Sequence, residues 1–235
     1  ACAVSYNDLT DKDQIVNKDA VSMLVSLGII EGKPDGSYAP TENVDRAQMA
    51  KMLSVIMNKG VDNSALYQSV NSGLVDVNTN WAKGHINYCY TTGRGNGKFD
   101  PSATVTALEA AKMLLVAVGY DPAIEGFEGA DWAINVSVRA DEQGIFEGFT
   151  KDLSAPLNRD DAALLIYNAL DVEMIQSYTT NNYPIAYSDH RTILADKYGV
   201  IKVQGVVVAN EWASLASDDG DAALKEGKTI LLEGQ

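Results

Sequence analysis

Histidine and cysteine are scarce, with two of each in 235 residues. Cys2 and Cys89 are too few for a disulfide scaffold, and two thiols or one bridge fit the count equally well. His85 and His190 stand apart from each other, and neither forms a His-Glu-x-x-His metal pair. The chain also lacks a Gly-x-Ser-x-Gly nucleophile elbow and a Gly-x-x-x-x-Gly-Lys phosphate loop. Both histidines therefore read as surface or packing residues. Paired carboxylates can always be found among 32 acids, but abundance is not a site. No enzyme activity and no cofactor are expected from this stretch of chain.

Positive charge is scarce as well. Eighteen Lys and Arg against 32 Asp and Glu give a net charge of −14, which argues against unspecific adhesion to nucleic acid or to an anionic membrane surface. An anionic partner must then be gripped at a local basic site. No run of 18 apolar residues occurs, so membrane insertion by a helix is not expected. The opening "ACAVSYNDL" has neither the charged start nor the apolar core of a signal peptide, although its small residues suit the mature end left after cleavage.

What the chain does contain is a repeat. "DGSYAPTENVDRAQMAKML" (35–53) aligns without a gap on "NGKFDPSATVTALEAAKML" (96–114), at an offset of 61. "LSAPLNRDDAALLIYNAL" (153–170) is a looser third copy with a loop about three residues shorter. A helical segment precedes each copy, over 17–32, 81–93 and 131–148, so each unit reads helix, Gly-rich turn, helix. Gly32, Pro34, Asp35, Gly36 and Pro40 supply the turn chemistry of the first. Met49, Met52, Leu53 and Ile56, then Ala110, Met113, Leu114 and Ala117, then Ala162, Leu165, Ile166 and Ala169, lie on one face of each second helix and read as core. A helix pair this short cannot bury such a face alone, whereas neighbouring copies can share one core.

Each second helix starts with one device. Asp45 with Gln48, Thr106 with Glu109, and Asn158 with Asp161 place a capping side chain three residues before an acid or amide. Arg46 and Arg159 follow at the first helical position, where the helix dipole disfavours a cation. Such an arginine either pairs with a neighbouring acid or joins the free first-turn amides, around Ala47 and Gln48 and around Asp160 and Asp161, in a pocket for a carboxylate. Trp81 and Trp132 open two first helices and either stack on a sugar or pack between helices.

The Leu-Gly-Ile-Ile helix end, the Pro-Asp-Gly-Ser-Tyr-x-Pro loop and the Asp-Arg-Ala-Gln start of the next helix, all within 27–53, resemble the S-layer homology domain of bacterial surface proteins. The resemblance covers about residues 10–171. It implies a mainly α, pseudo-threefold bundle of three tandem copies, over 1–61, 62–121 and 122–171. It further implies that the grooves between copies bind secondary cell wall polysaccharide through pyruvylated N-acetylmannosamine. Carried over residue by residue, the sugar-contacting arginine falls on Arg46 and Arg159, with Asp45, Ala47, Gln48, Asn158, Asp160, Trp81 and Trp132 around them. The second copy has Ala107 where the arginine belongs, so its groove is expected to bind weakly or not at all. Arg94 and Lys98 are candidate substitutes that read more simply as loop charges.

From about residue 172 the helical spacing fades. "YGVIKVQGVVVANEWASL" (198–215) and "KTILLEG" (228–234) read as strands around the polar turn 217–227, whose acids lack the calcium-loop pattern. Residues 172–235 are thus expected to be a small β-rich segment, the start of a further domain in a longer surface protein. Taken together, the expected protein is a secreted wall-anchoring module of a Gram-positive bacterium. The alternatives are an assembly unit that contacts other S-layer chains, and the targeting part of a surface hydrolase.

Overall fold

The computed structural model describes residues 5–91, 97–202, 206–210 and 230–233. Six helices carry the repeat: α1 (Lys18–Ser26), α2 (Arg46–Met57), α3 (Lys83–Thr91), α4 (Ala107–Val118), α5 (Trp132–Glu142) and α6 (Arg159–Ala169). The mainly helical, pseudo-threefold architecture expected from the repeat is present. Packing, however, runs between copies: α2 lies on α3, α4 on α5, and α6 closes the circle on α1. Each second helix thus finds its apolar partner in the first helix of the following copy.

At the centre the three extended segments before α2, α4 and α6 meet. Val44 N donates to Leu157 O (2.8 Å), Leu157 N to Val105 O (2.9 Å), and Val105 N to Val44 O (2.9 Å), a closed ring of three hydrogen bonds. All three side chains are buried, so the ring satisfies backbone groups that water cannot reach. The capping device works as its spacing predicts. Asp45 with Gln48 and Thr106 with Glu109 form reciprocal capping boxes, while Asn158 caps α6 one way by accepting from Asp161 N.

Most of the expected core face is buried, including Met49, Leu53, Ile56, Ala110, Leu114, Ala162, Leu165, Ile166 and Ala169. Met52, Met113 and Ala117 are only half-buried, because they border the grooves described below.

Beyond α6 a hairpin of β1 (Glu173–Tyr178) and β2 (Ala186–Thr192) leads into a short helix, α7 (Ile193–Tyr198). This part belongs with the helices, in a unit spanning residues 1–199. Gly119 ends α4 at φ 112°, and a Cβ there would stand 2.4 Å from Ile175 O, so only glycine admits β1 at this distance. Tyr178 Oη donates to Glu125 and accepts from Asp121 N. Arg139 holds the same Glu125 through Nε and Nη2. Residues 200–235 form a second unit, in which β3 (Val206–Asn210) pairs antiparallel with β4 (Ile230–Glu233). Both strands fall inside the two stretches that read as β from sequence.

Leu157 is buried at the ring. Leu157→Ala should cost about 2–5 kcal/mol, read from urea unfolding.

Candidate functional site

The two arginines that look misplaced on their own helices are well placed on their neighbours. Arg46 reaches from α2 to the second copy, where Nε donates to Phe99 O (2.7 Å) and the guanidinium lies 4.7 Å from the centre of the Phe99 ring. Arg159 reaches from α6 to the first copy in the same way. Its Nε donates to Tyr38 O (2.7 Å), its Nη2 to Glu31 O (3.0 Å), and it lies 4.8 Å from the Tyr38 ring. Tyr38 answers by donating its hydroxyl to Arg159 O (2.7 Å). Each seat thus combines a charge-assisted hydrogen bond with a cation–π contact, which offsets the unfavourable position on the dipole.

Two carboxylates that no local sequence pattern marks shape these seats. Asp11 accepts from Tyr38 N (2.7 Å) and Ala39 N (2.8 Å). Asp76 accepts from Phe99 N (2.9 Å) and Asp100 N (2.8 Å). Ala39 and Asp100 have φ of 55° and 54°, the left-handed region that non-glycine residues seldom occupy. The carboxylates hold that strained corner and with it the aromatic ring under the guanidinium. The Phe99 amide bond keeps the Asp76 carboxyl below the usual range.

A groove opens beside each arginine. The first, here groove A, measures about 310 Å³ and brings together Arg159, Tyr38, Gln48, Lys51 and Trp81. Groove B measures about 570 Å³ and brings together Arg46, Phe99, Glu109, Lys112 and Trp132. Of the aromatic residues singled out from sequence, Trp81 is 58% exposed on groove A. Trp132 borders groove B, with Lys112 Nζ 5.5 Å from its ring centre. Burial pushes the Lys112 ammonium below its ordinary pKa. Lys51 and Lys112 were missed as groove cations, yet they share one place in the repeated Ala-Lys-Met-Leu stretch on a face otherwise apolar. A lysine recurring there was the available signal.

The first-turn amides correct the expectation. Arg46 N donates to Ala103 O, Ala47 N to Pro101 O and Gln48 N to Asp45 Oδ1. Arg159 N donates to Glu42 O, Asp160 N to Pro40 O and Asp161 N to Asn158 Oδ1. The carbonyls of the following copy and the caps consume them all, so none is left for an external anion. Asp45 and Asn158 serve as caps. The Asp160 side chain is buried and accepts from Asn17 N (3.1 Å).

At the third position of the pseudo-threefold the seat is filled differently. Ala107 is buried and offers no cation, and Leu108 N donates to Leu153 O as Ala47 N does to Pro101 O. Counting back from that shared bond, Lys151 stands where Tyr38 and Phe99 stand, and its ammonium is paired with Asp161. Of the proposed substitutes, Lys98 is exposed, and Arg94 lies outside the described residues.

The remaining candidates have local roles. His85 is buried with Nδ1 2.6 Å from Ser54 Oγ, and burial lowers its pKa. His190 is exposed and lies 2.8 Å from Glu173. The Cys89 thiol is pushed up to about 12 by burial. Cys2 and the polar turn 217–227 lie outside the described residues. Among the described residues, no group of His, Cys, Asp and Glu is placed to hold a metal ion, and no helix is long and apolar enough to cross a membrane.

Residues 5–50 match the family model of the S-layer homology domain. This stretch contains α1, the Tyr38 loop and the start of α2. Over 238 aligned residues the chain is 28% identical to a "Cell surface protein" of Thermoanaerobacter kivui, covering 99% of this chain and 28% of the relative. It is 33% identical over 113 residues to an "S-layer protein" of Bacillus licheniformis, covering 46% of this chain and 12% of that protein. It is also 29% identical over 187 residues to "Exoglucanase XynX" of Acetivibrio thermocellus, covering 72% of this chain and 16% of the enzyme. The chain thus spans less than a third of the length of these curated relatives.

The depressed Asp76 pKa sets the sign of a pH effect. Because the unfolded carboxyl binds its proton at higher pH, about 3.9, the contribution is complete above that value. It is lost as pH falls through the lower folded value. Urea midpoints measured against pH should therefore drop below about pH 4 in the native protein, and less steeply in Asp76→Asn.

Proposed function

We propose that this chain is a non-catalytic anchoring module that holds its parent protein to the bacterial cell surface by binding secondary cell wall polysaccharide. The match of residues 5–50 to the S-layer homology domain supports surface anchoring. The observation that carries the polysaccharide reading is the pair of inter-copy grooves, each with an arginine seated on an aromatic ring, a lysine as a further cation and a tryptophan on its border. Guanidinium and ammonium groups suit the carboxylate of a pyruvylated sugar, and the indole faces suit its apolar ring face.

In this reading Arg159 and Lys51 act in groove A and Arg46 and Lys112 in groove B. Side chains alone provide the contacts, since the helix-start amides are engaged. The position without an arginine, around Ala107 and Lys151, takes no part. The parent is secreted and its surroundings are the wall or S-layer of a Gram-positive bacterium. Likeness to a protein named exoglucanase XynX favours a second reading of the same module, as the wall-attachment part of a longer hydrolase. Contact with other S-layer chains is a third reading, to be tested by deleting residues 200–235.

Purified wall carrying its polysaccharide should retain the native chain and lose most of it with Arg46→Ala plus Arg159→Ala. Equal retention of both, in a sedimentation assay, removes the arginine mechanism. Retention of neither removes wall binding itself.

A further inference from the structure

The two grooves are built on one plan but differ in charge. In groove A no carboxylate lies within ion-pair distance of the Arg159 guanidinium among the described residues; carbonyls of Tyr38 and Glu31 hold it. In groove B the Arg46 Nη1 lies 4.0 Å from Glu109 Oε1. The difference comes from one place in the repeat, the third residue of the following helix. Gln48 occupies it on groove A, and Glu109 occupies it on groove B. Both side chains also close a capping box, Gln48 Oε1 accepting from Asp45 N (3.0 Å) and Glu109 Oε2 from Thr106 N (2.9 Å). The cap uses one oxygen and leaves the rest of the group facing the groove.

The whole lining follows the same trend. Of the three cations on groove A, Lys33 pairs with Glu42 and Lys51 with Glu31, which leaves Arg159 without an ion pair among the described residues. In groove B, Arg46 and Lys112 are matched by Glu109 and Glu128, so its lining is neutral. Groove B is also the larger, and Met113, Val116, Ala117 and Phe127 make much of its wall apolar.

We infer that the grooves are not duplicates: groove A selects the anionic sugar, groove B takes an uncharged sugar that presents an apolar group such as the methyl of an N-acetyl substituent, and the capping residue Gln48 or Glu109 sets the difference. This rests on reading the grooves as saccharide sites. An incoming carboxylate at groove A meets an arginine whose charge is uncompensated, whereas at groove B it must compete with Glu109 for Arg46 and desolvate beside a second acid. An uncharged ring loses nothing by that neighbour and gains from the apolar wall.

Each groove carries its own reporter, Trp81 on A and Trp132 on B. The test follows the indole N–H signals of Trp81 and Trp132 by NMR, assigned through Trp81→Phe and Trp132→Phe, while the chain is titrated with pyruvylated N-acetylmannosamine and with its uncharged methyl ester. With the acid, the Trp81 signal should saturate at a concentration several-fold below that for Trp132; with the ester, that order should reverse. Glu109→Gln keeps an oxygen for the cap and should tighten the acid at Trp132 by about twofold to fivefold, the upper part of the range for a partly exposed ion pair. Gln48→Glu should weaken it at Trp81 by a similar factor. Unchanged thermal midpoints would show both caps intact. Equal acid affinity at the two indoles, or no change in Glu109→Gln, overturns the inference while leaving saccharide binding in place. No response at either indole to either sugar overturns both.

Discussion

The ring of hydrogen bonds among Val44, Leu157 and Val105 is the constraint on which the rest of the first unit depends. Three extended segments, each too short to form a sheet with itself, satisfy one another at a buried point. Because each segment runs directly into the cap of a helix, the ring fixes where α2, α4 and α6 begin. It also sets the start of each helix against the loop of the following copy. Everything notable about the grooves follows from that offset. Arg46 and Arg159 cannot use their own helix ends, which repel them, but the next copy's carbonyl and ring lie within reach.

The same offset explains why the helix-start amides do not bind a ligand. An isolated helix leaves its first N–H groups open, and an anion site is a reasonable expectation there. Here the carbonyls of Pro101, Ala103, Leu153, Pro40 and Glu42 occupy those donors. Binding capacity moves from backbone to side chain, so it depends on residue identity at each copy. One ring of backbone can then support three unequal positions: an arginine without an ion pair among the described residues at groove A, an arginine facing Glu109 at groove B, and Lys151 paired with Asp161 at the third.

Legibility followed the range of the interactions. Caps, helix pairs and the core face depend on residues three or four apart, and Asp45 with Gln48 or Ala162 with Leu165 and Ile166 declared themselves by spacing alone. The arginines were legible as anomalies, since a cation at a helix start needs a reason. Asp11 and Asp76 were not, because their partners Tyr38 and Phe99 lie 27 and 23 residues away and nothing local marks them. The hairpin of β1 and β2 is a similar case. Its fading helical spacing read as the start of another domain, while Gly119 and Glu125 tie it to the helices across more than 50 residues of chain.

By itself the sequence determined the repeat, the helices and their starts, and the absence of an arginine at Ala107, because each is a matter of residue type at a short, fixed spacing. The tertiary structure alone decided that every second helix packs on the next copy, that the amides are spent, and which acid faces which arginine. Those facts depend on which strands of backbone meet at the central ring, and hydrogen bonds between segments 50 to 120 residues apart leave no periodic trace in the chain.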